Sequence, residues 1–223
     1  MIVDLNVGSK KVLVIGGGKE GMRKVKGLLG QGCEIIVLDK RPVKDLLSLE
    51  RLGLIRTIRQ EIKDLSCLDN FENVFIIMAA TNDKCLNRKI IERGQRMGSL
   101  VYAADDPEVS DFSYTSLTSI GGLIQVAIST YGKSPLMARK IRIRIERILR
   151  SAIKNTDLDN ILLQDFARNL AKDKIDSGKG RRQVLYFIMK NKNIQDMISD
   201  RRLDDAKEVT RKLINNWDDA VSK

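Results

Sequence analysis

The stretch Lys11-Val-Leu-Val-Ile-Gly16-Gly17-Gly18-Lys19-Glu20-Gly21 constrains the fold of this chain more than any other. Val12 to Ile15 form a short apolar run, the pattern of a parallel strand covered on both faces. The chain must then turn into a helix within a few residues. Gly16 suits the tight turn, Gly18 leaves the backbone open to a pyrophosphate, and Gly21 lets the helix pack closely on the strand. Gly17, Lys19 and Glu20 complete the loop, where unpaired N–H groups at a helix N-terminus favour negative charge. A second apolar run, Ile35 to Leu38, ends at Asp39, 23 residues after Gly16. A carboxylate there suits ribose hydroxyls and repels a 2′-phosphate, so the pattern points to NAD over NADP. The adjacent cations Lys40 and Arg41 leave the phosphorylated form open. A glycine-rich turn beside an ordinary exposed aspartate is the competing reading; the strand before, the helix after and the spacing to the acid favour a dinucleotide site.

Strand-like runs at 11–15, 34–38, 54–59, 74–79 and 99–103 alternate with helix-like segments at 19–30, 42–52 and 83–97. Such alternation predicts an α/β fold, a Rossmann-like doubly wound parallel sheet, with its ligand crevice at the carboxyl ends of the strands. Gly16 to Gly18, Asp39 and Ala79-Ala80-Thr81-Asn82 all fall at such ends. Ala80 and Thr81 are small enough to line a nucleoside ribose, although Ala79-Ala80 reads equally well as the close of a core strand. From about residue 113 the pattern changes. Phe112 to Ile120 and Leu123 to Ile128, separated by Gly121-Gly122, predict a hairpin-like unit outside the first sheet. Ser134-Pro135 opens a strongly basic helix, with serine as N-cap and proline preset at the first helical position. The alternation Ile141-Arg-Ile-Arg-Ile145 competes locally as strand. Residues 157–217 read as helices interrupted at Asp176-Ser-Gly-Lys-Gly180. The expected boundaries are 1–112, 113–150 and 151–223, the last a small helical domain or lid.

Forty Lys and Arg against 29 Asp and Glu give a net charge of +11. That surplus implies a polyanionic partner, either nucleic acid or a small polycarboxylate, unless it is a solvated basic surface. An aromatic content of 4% and the lack of a recognisable RNA or DNA motif argue against nucleic acid. The chain has no histidine. Ser-His-Asp triads, Cys-His pairs, HExxH zinc sites and His-ligated metals are thereby excluded, and acid–base chemistry falls to Asp, Glu, Lys, Tyr or Cys. Cys33, Cys67 and Cys85 form neither a disulfide framework nor a CxxC motif, so no metal site is expected. The longest apolar run, Val74 to Ala80, is too short to span a bilayer. Met1-Ile-Val-Asp4 lacks the regions of a signal peptide, which makes the cytoplasm the expected location.

Two later segments narrow the function: Val101-Tyr-Ala-Ala-Asp105-Asp106-Pro107-Glu-Val-Ser-Asp111-Phe112, and Ala127-Ile-Ser129-Thr130-Tyr-Gly132-Lys133-Ser134-Pro135-Leu-Met-Ala138-Arg139. Together with GGGxxxxRK (Gly16 to Lys24) and Ala79-Ala-Thr81-Asn-Asp83, they resemble the siroheme synthase N-terminal family, the precorrin-2 dehydrogenases, in a stand-alone form without a methyltransferase domain. The resemblance covers roughly residues 3 to 152. It implies NAD-dependent oxidation of precorrin-2, a polycarboxylate tetrapyrrole, to sirohydrochlorin. It also implies an intertwined homodimer, with 113–150 as the dimerisation and substrate-pocket segment. Asp105 matches the family's catalytic acid, and Ser129 a substrate-pocket serine. Thr130 lies beside it, and Lys133 and Arg139, with Arg142, are candidate clamps for substrate carboxylates. Tyr102 stands where the family has asparagine, and Tyr131 replaces the first of two glycines; Tyr131 either stacks on the macrocycle or simply packs.

With histidine absent, Asp105 at the end of the fifth strand is a candidate general base or substrate-orienting carboxylate. The alternative is an Asp-Asp-Pro turn whose side chains bond nearby backbone N–H groups. The resemblance favours the first role for Asp105 and the second for Asp106. An NAD-sensing regulatory module would explain the glycine loop equally well, but not the Asp105 or Ser129 segments. Some family members also insert ferrous iron into sirohydrochlorin; without histidine, little or no chelatase activity is expected here, a bifunctional enzyme being the alternative.

Overall fold

Five short apolar runs become the strands of one parallel sheet: β1 (Lys11–Ile15), β2 (Glu34–Leu38), β3 (Arg56–Ile58), β4 (Val74–Ala79) and β5 (Leu100–Ala103). Their order is β3-β2-β1-β4-β5, so β1 is central and the direction of winding reverses beside it. The structure is a computed structural model that describes residues 2–62 and 64–217. It divides into two compact units between Tyr114 and Thr115.

In the first unit, helices α1 (Lys19–Leu28), α2 (Lys44–Arg51) and α3 (Lys84–Arg96) connect the strands. Side chains alternate between the sheet faces, and both faces are covered, which is why the strands read as unbroken apolar runs. Leu13, Ile15, Ile36, Leu38 and Ile77 pack on one side with Ile90 and Ile91 of α3. Val12, Val14, Ile35, Val37 and Met78 pack on the other with Met22 and Val25 of α1 and Leu46 of α2. β3 is shorter than its apolar pattern suggests, because Leu54 is exposed and only Arg56 to Ile58 pair with β2.

The second unit begins with an antiparallel hairpin, β6 (Ser116–Ile120) and β7 (Ile124–Ile128), which forms its own two-stranded sheet. Gly121 and Gly122 both take positive φ, and the Leu123 N–H donates to the Ile120 carbonyl, as a primed hairpin turn requires. Helix α4 (Pro135–Ala152) follows, with the Ser134 hydroxyl accepting from the Met137 N–H. The Ile141 to Ile145 alternation is therefore helical. Helices α5 (Asn155–Lys174), α6 (Gly178–Lys190), α7 (Lys192–Ser199) and α8 (Leu203–Asn215) enclose Leu163, Ala167, Val184, Ile188 and Ile198. The expected interruption is present at residues 175–177, between α5 and α6, but Gly178 and Gly180 belong to the first turn of α6, capped by Ser177. Residues 218–223 of the expected helical region lie outside the described residues. No helix of the described residues is long and apolar enough to cross a membrane.

Candidate functional site

The reversal of strand order beside β1 opens a cleft of about 540 Å³ at the carboxyl ends of the strands. Gly16 and Gly18 line it from β1, Asp39, Lys40 and Arg41 from β2, and Ala80 and Thr81 from β4. Gly17, Lys19, Glu20 and Gly21 are not part of the wall. Asn82 extends the wall from the same strand-end motif as Ala80 and Thr81, while Gln60, Glu61 and Leu86 are wall residues that no motif marked.

The glycines differ in what they make possible. Gly16 has φ of 104°, and a Cβ there would sit 2.4 Å from the Ala80 carbonyl oxygen. A Cβ on Gly21 would fall 1.8 Å from the carbonyl oxygen of Gly16. Both positions therefore lock the loop together. Gly18 is different: a Cβ there meets nothing within 4 Å, so its bare backbone faces open space. It is also the N-cap of α1 and offers no side-chain cap. The first turn of α1 thus presents N–H groups at the loop, a cradle suited to a pyrophosphate. Lys19 and Glu20 lie exposed in that turn, and Glu20 pairs with Arg23 at 2.7 Å.

Asp39 is fixed by two backbone donors. Its Oδ2 accepts from the Gly17 N–H and its Oδ1 from the Arg41 N–H, each at 2.5 Å. The carboxylate therefore faces the cleft in one orientation, with lone pairs left for ribose hydroxyls. Lys40 pairs with Glu61 at 2.7 Å, which offsets one of the two cations that follow Asp39 in the sequence. The donor set fits NAD, and like charge at Asp39 disfavours a 2′-phosphate.

Asp105 does not line the cleft wall, but is joined to it by a residue that the sequence did not single out. Asn87, on α3 and only 1% exposed, donates from Nδ2 to Asp105 Oδ1 at 2.8 Å. The same amide makes three hydrogen bonds with Thr81. Asp106 takes the structural part of the Asp-Asp-Pro turn: it accepts from the Glu108 N–H and pairs with Arg88 at 2.8 Å. The hydrogen bond from Arg88 holds the Asp106 carboxyl below its usual range, and burial opposes that shift.

Lys24 on α1, which closes the GGGxxxxRK motif, is only 3% exposed, a burial the sequence did not predict. Its Nζ lies 2.8 Å from the Tyr102 hydroxyl and 3.8 Å from the centre of the Tyr114 ring. Phe112 and Tyr114 pack against Tyr102 at 5.5 and 5.2 Å. Burial lowers the Lys24 pKa to about 8, aided by Arg23 and opposed by Glu20. Burial likewise pushes Tyr114 up to about 12. Tyr102, where the family has asparagine, thus serves as one wall of a lysine box.

The remaining candidates belong to the second unit. The Ser129 hydroxyl accepts from the Tyr131 N–H, and Thr130 Oγ1 from the Ser134 N–H, which shapes the turn into α4. Tyr131 sits at φ of 52°, a conformation favoured by the glycine it replaces, and is 84% exposed. Lys133 and Arg139 are exposed. Arg142 is committed to Glu146 at 2.6 Å, and Arg150 binds the same carboxylate at 2.8 Å.

Comparison with known proteins agrees with this geometry. The model of an NAD(P)-binding family matches residues 3–116, and that of the sirohaem biosynthesis protein central region matches residues 122–148. The chain belongs to the siroheme synthase N-terminal family. Among its relatives, siroheme synthase 1 of Cronobacter sakazakii is 33% identical over 144 residues, covering 65% of this chain and 30% of that protein. Siroheme synthase of Neisseria meningitidis serogroup B is 28% identical over 212 residues, 92% of this chain and 42% of the relative. The chain therefore spans less than half the length of these relatives. A solved structure of SirC, a precorrin-2 dehydrogenase, is similar with a TM-score of 0.67 and 25% identity, covering 95% of this chain and 99% of SirC. The matched NAD(P)-binding region spans both the glycine loop and Asp39.

Proposed function

We propose that this family member oxidises precorrin-2 to sirohydrochlorin. The reaction removes two hydrogens from a reduced tetrapyrrole, one as hydride and one as a proton. NAD, when bound, supplies the hydride acceptor. The chain's own part is to hold the dinucleotide on the backbone of Gly16 to Gly18 and on Asp39, and to accept the proton at Asp105. Asp105 is exposed, so substrate can reach it, and its carboxylate is oriented by a buried amide attached to the cleft wall. That single arrangement carries the reading, because it unites the acid with the nucleotide cleft in a chain without histidine.

Lys133 and Arg139 are the proposed contacts for substrate carboxylates, with Ser129 and Thr130 shaping the turn before them. A homodimer is supported by the apolar surface of the hairpin and α4: Leu117, Leu123, Leu136, Ile143 and Ile148 are all exposed. A two-stranded hairpin with such a surface gains stability by being covered.

Anaerobic incubation of the protein with precorrin-2 and NAD is expected to produce NADH in step with sirohydrochlorin. Asp105→Ala should reduce the turnover at least about a hundredfold, within the range assigned to a general base. Wild-type turnover in that variant would remove Asp105 from the chemistry. NAD binding with no NADH formed would favour a sensing module instead. Siroheme formation from sirohydrochlorin and ferrous iron by the same protein would reveal chelatase activity, which we propose is weak or absent.

A further inference from the structure

Every hydrogen-bonding position of the Asn87 amide is occupied. Its Oδ1 accepts from the Thr81 N–H at 3.1 Å and from the Thr81 hydroxyl at 2.6 Å. Its Nδ2 donates to the Thr81 carbonyl at 3.1 Å and to Asp105 Oδ1 at 2.8 Å. A backbone N–H can only donate and a backbone carbonyl can only accept, so Thr81 permits one orientation of the amide. The second N–H then has to face Asp105. That is the one hydrogen bond to the Asp105 carboxylate among the described residues. It engages Oδ1 and leaves Oδ2 free.

We propose that Asn87 is a positioning residue that acts through Asp105; this rests on the reading of Asp105 as the base. An exposed aspartate has several rotamers open to it. A buried amide that cannot rotate selects the one in which Oδ2 is presented to substrate. Because Thr81 also lines the nucleotide cleft, the same amide keeps the base in register with the wall against which NAD rests. Misplacing a reacting group by about 1 Å costs on the order of a hundredfold in rate.

The test is a double-mutant cycle on kcat, with KM values for NAD and precorrin-2 measured alongside. Asn87→Ala removes the donor. Asn87→Asp keeps the volume, but an ionised carboxylate only accepts and cannot donate to Asp105. Each is expected to lower kcat about ten- to a hundredfold and to leave both KM values within about threefold. In an Asp105→Ala background neither should lower kcat further. Thermal unfolding shows which variants are folded, and Asn87→Asp serves if Asn87→Ala is not. The proposal fails if the Asn87 substitutions cost as much in the Asp105→Ala background as alone, or if they raise the KM for NAD while kcat stays put. Unimpaired turnover in Asp105→Ala sinks the reading of the base and this proposal with it. An impaired Asp105→Ala beside wild-type kcat in both Asn87 variants sinks only the role of Asn87.

Discussion

Gly18 and Gly21 share a motif, yet the two substitutions to alanine should have opposite signatures. At Gly21 a methyl group would overlap the Gly16 carbonyl oxygen, so the loop must shift. Gly21→Ala is expected to destabilise the protein by about 1–3 kcal/mol in urea denaturation, as overpacking does. Gly18→Ala should leave the midpoint in place, since nothing lies within 4 Å, and should weaken NAD binding about tenfold or more in calorimetry. Lys24 makes a different demand. Its pKa is about 8 in the folded protein and 10.5 as the ordinary value, so between those limits the unfolded chain binds more protons. Stability from this group is therefore lowest below pH 8 and rises with pH through that window, by on the order of 2–3 kcal/mol. Cys33 and Cys67, raised by burial, act in the reverse sense, so a comparison with Lys24→Met is needed. The stability of wild type relative to that variant should increase between pH 7 and pH 10; an equal difference at both would remove Lys24 from the titration.

Among the elements, the strands and helices of the first unit were legible because each writes its own period into the sequence. The serine cap of α4 and the Gly-Gly turn of the hairpin were legible for the same reason, since a cap or a turn is a local event. The break between α5 and α6 was legible too, but its end was not: the Ser177 hydroxyl caps a helix that already begins at Gly178. The hairpin and α4 also carry the prediction that belongs to this scale. Paired substitutions Leu117→Asp and Ile148→Asp remove apolar surface from exposed positions, so the fold of the unit should survive. The proposed dimer should not: sedimentation is expected to shift from dimer to monomer at micromolar concentration. A dimer of unchanged affinity would move the interface elsewhere.

For the whole molecule, charge is the property to test. A net charge of +11 would make capture of the proposed polycarboxylate substrate electrostatic, so the KM for precorrin-2 should rise at least about fivefold between roughly 0.05 and 0.5 M salt. The KM for NAD should change far less, because short hydrogen bonds donated by the backbone at Gly18 and accepted by Asp39 do not depend on long-range field. A flat response for precorrin-2 would mean that the surplus is a solvated surface. Part of the basic charge is already internally paired, as Arg142 and Arg150 with Glu146 illustrate, so the surplus alone overstates what is free to act.

What the amino-acid sequence determined unaided is the doubly wound sheet, the glycine loop and Asp39, whereas the candidacy of Asp105 came from the family resemblance. Each of the first three depends on periodicity, backbone freedom or a spacing within one loop–helix unit, and such signals are carried by neighbouring letters. Only the tertiary structure decided that Asn87 meets Asp105 across 18 residues and that Lys24 meets Tyr102 across 78. Lys24 ends the GGGxxxxRK motif and Asn87 belongs to none, yet neither residue carries a local sign of the partner it meets. Their roles come from partners that other strands bring to them, in a low-dielectric interior where an unpaired polar group is costly and a paired one is held in place.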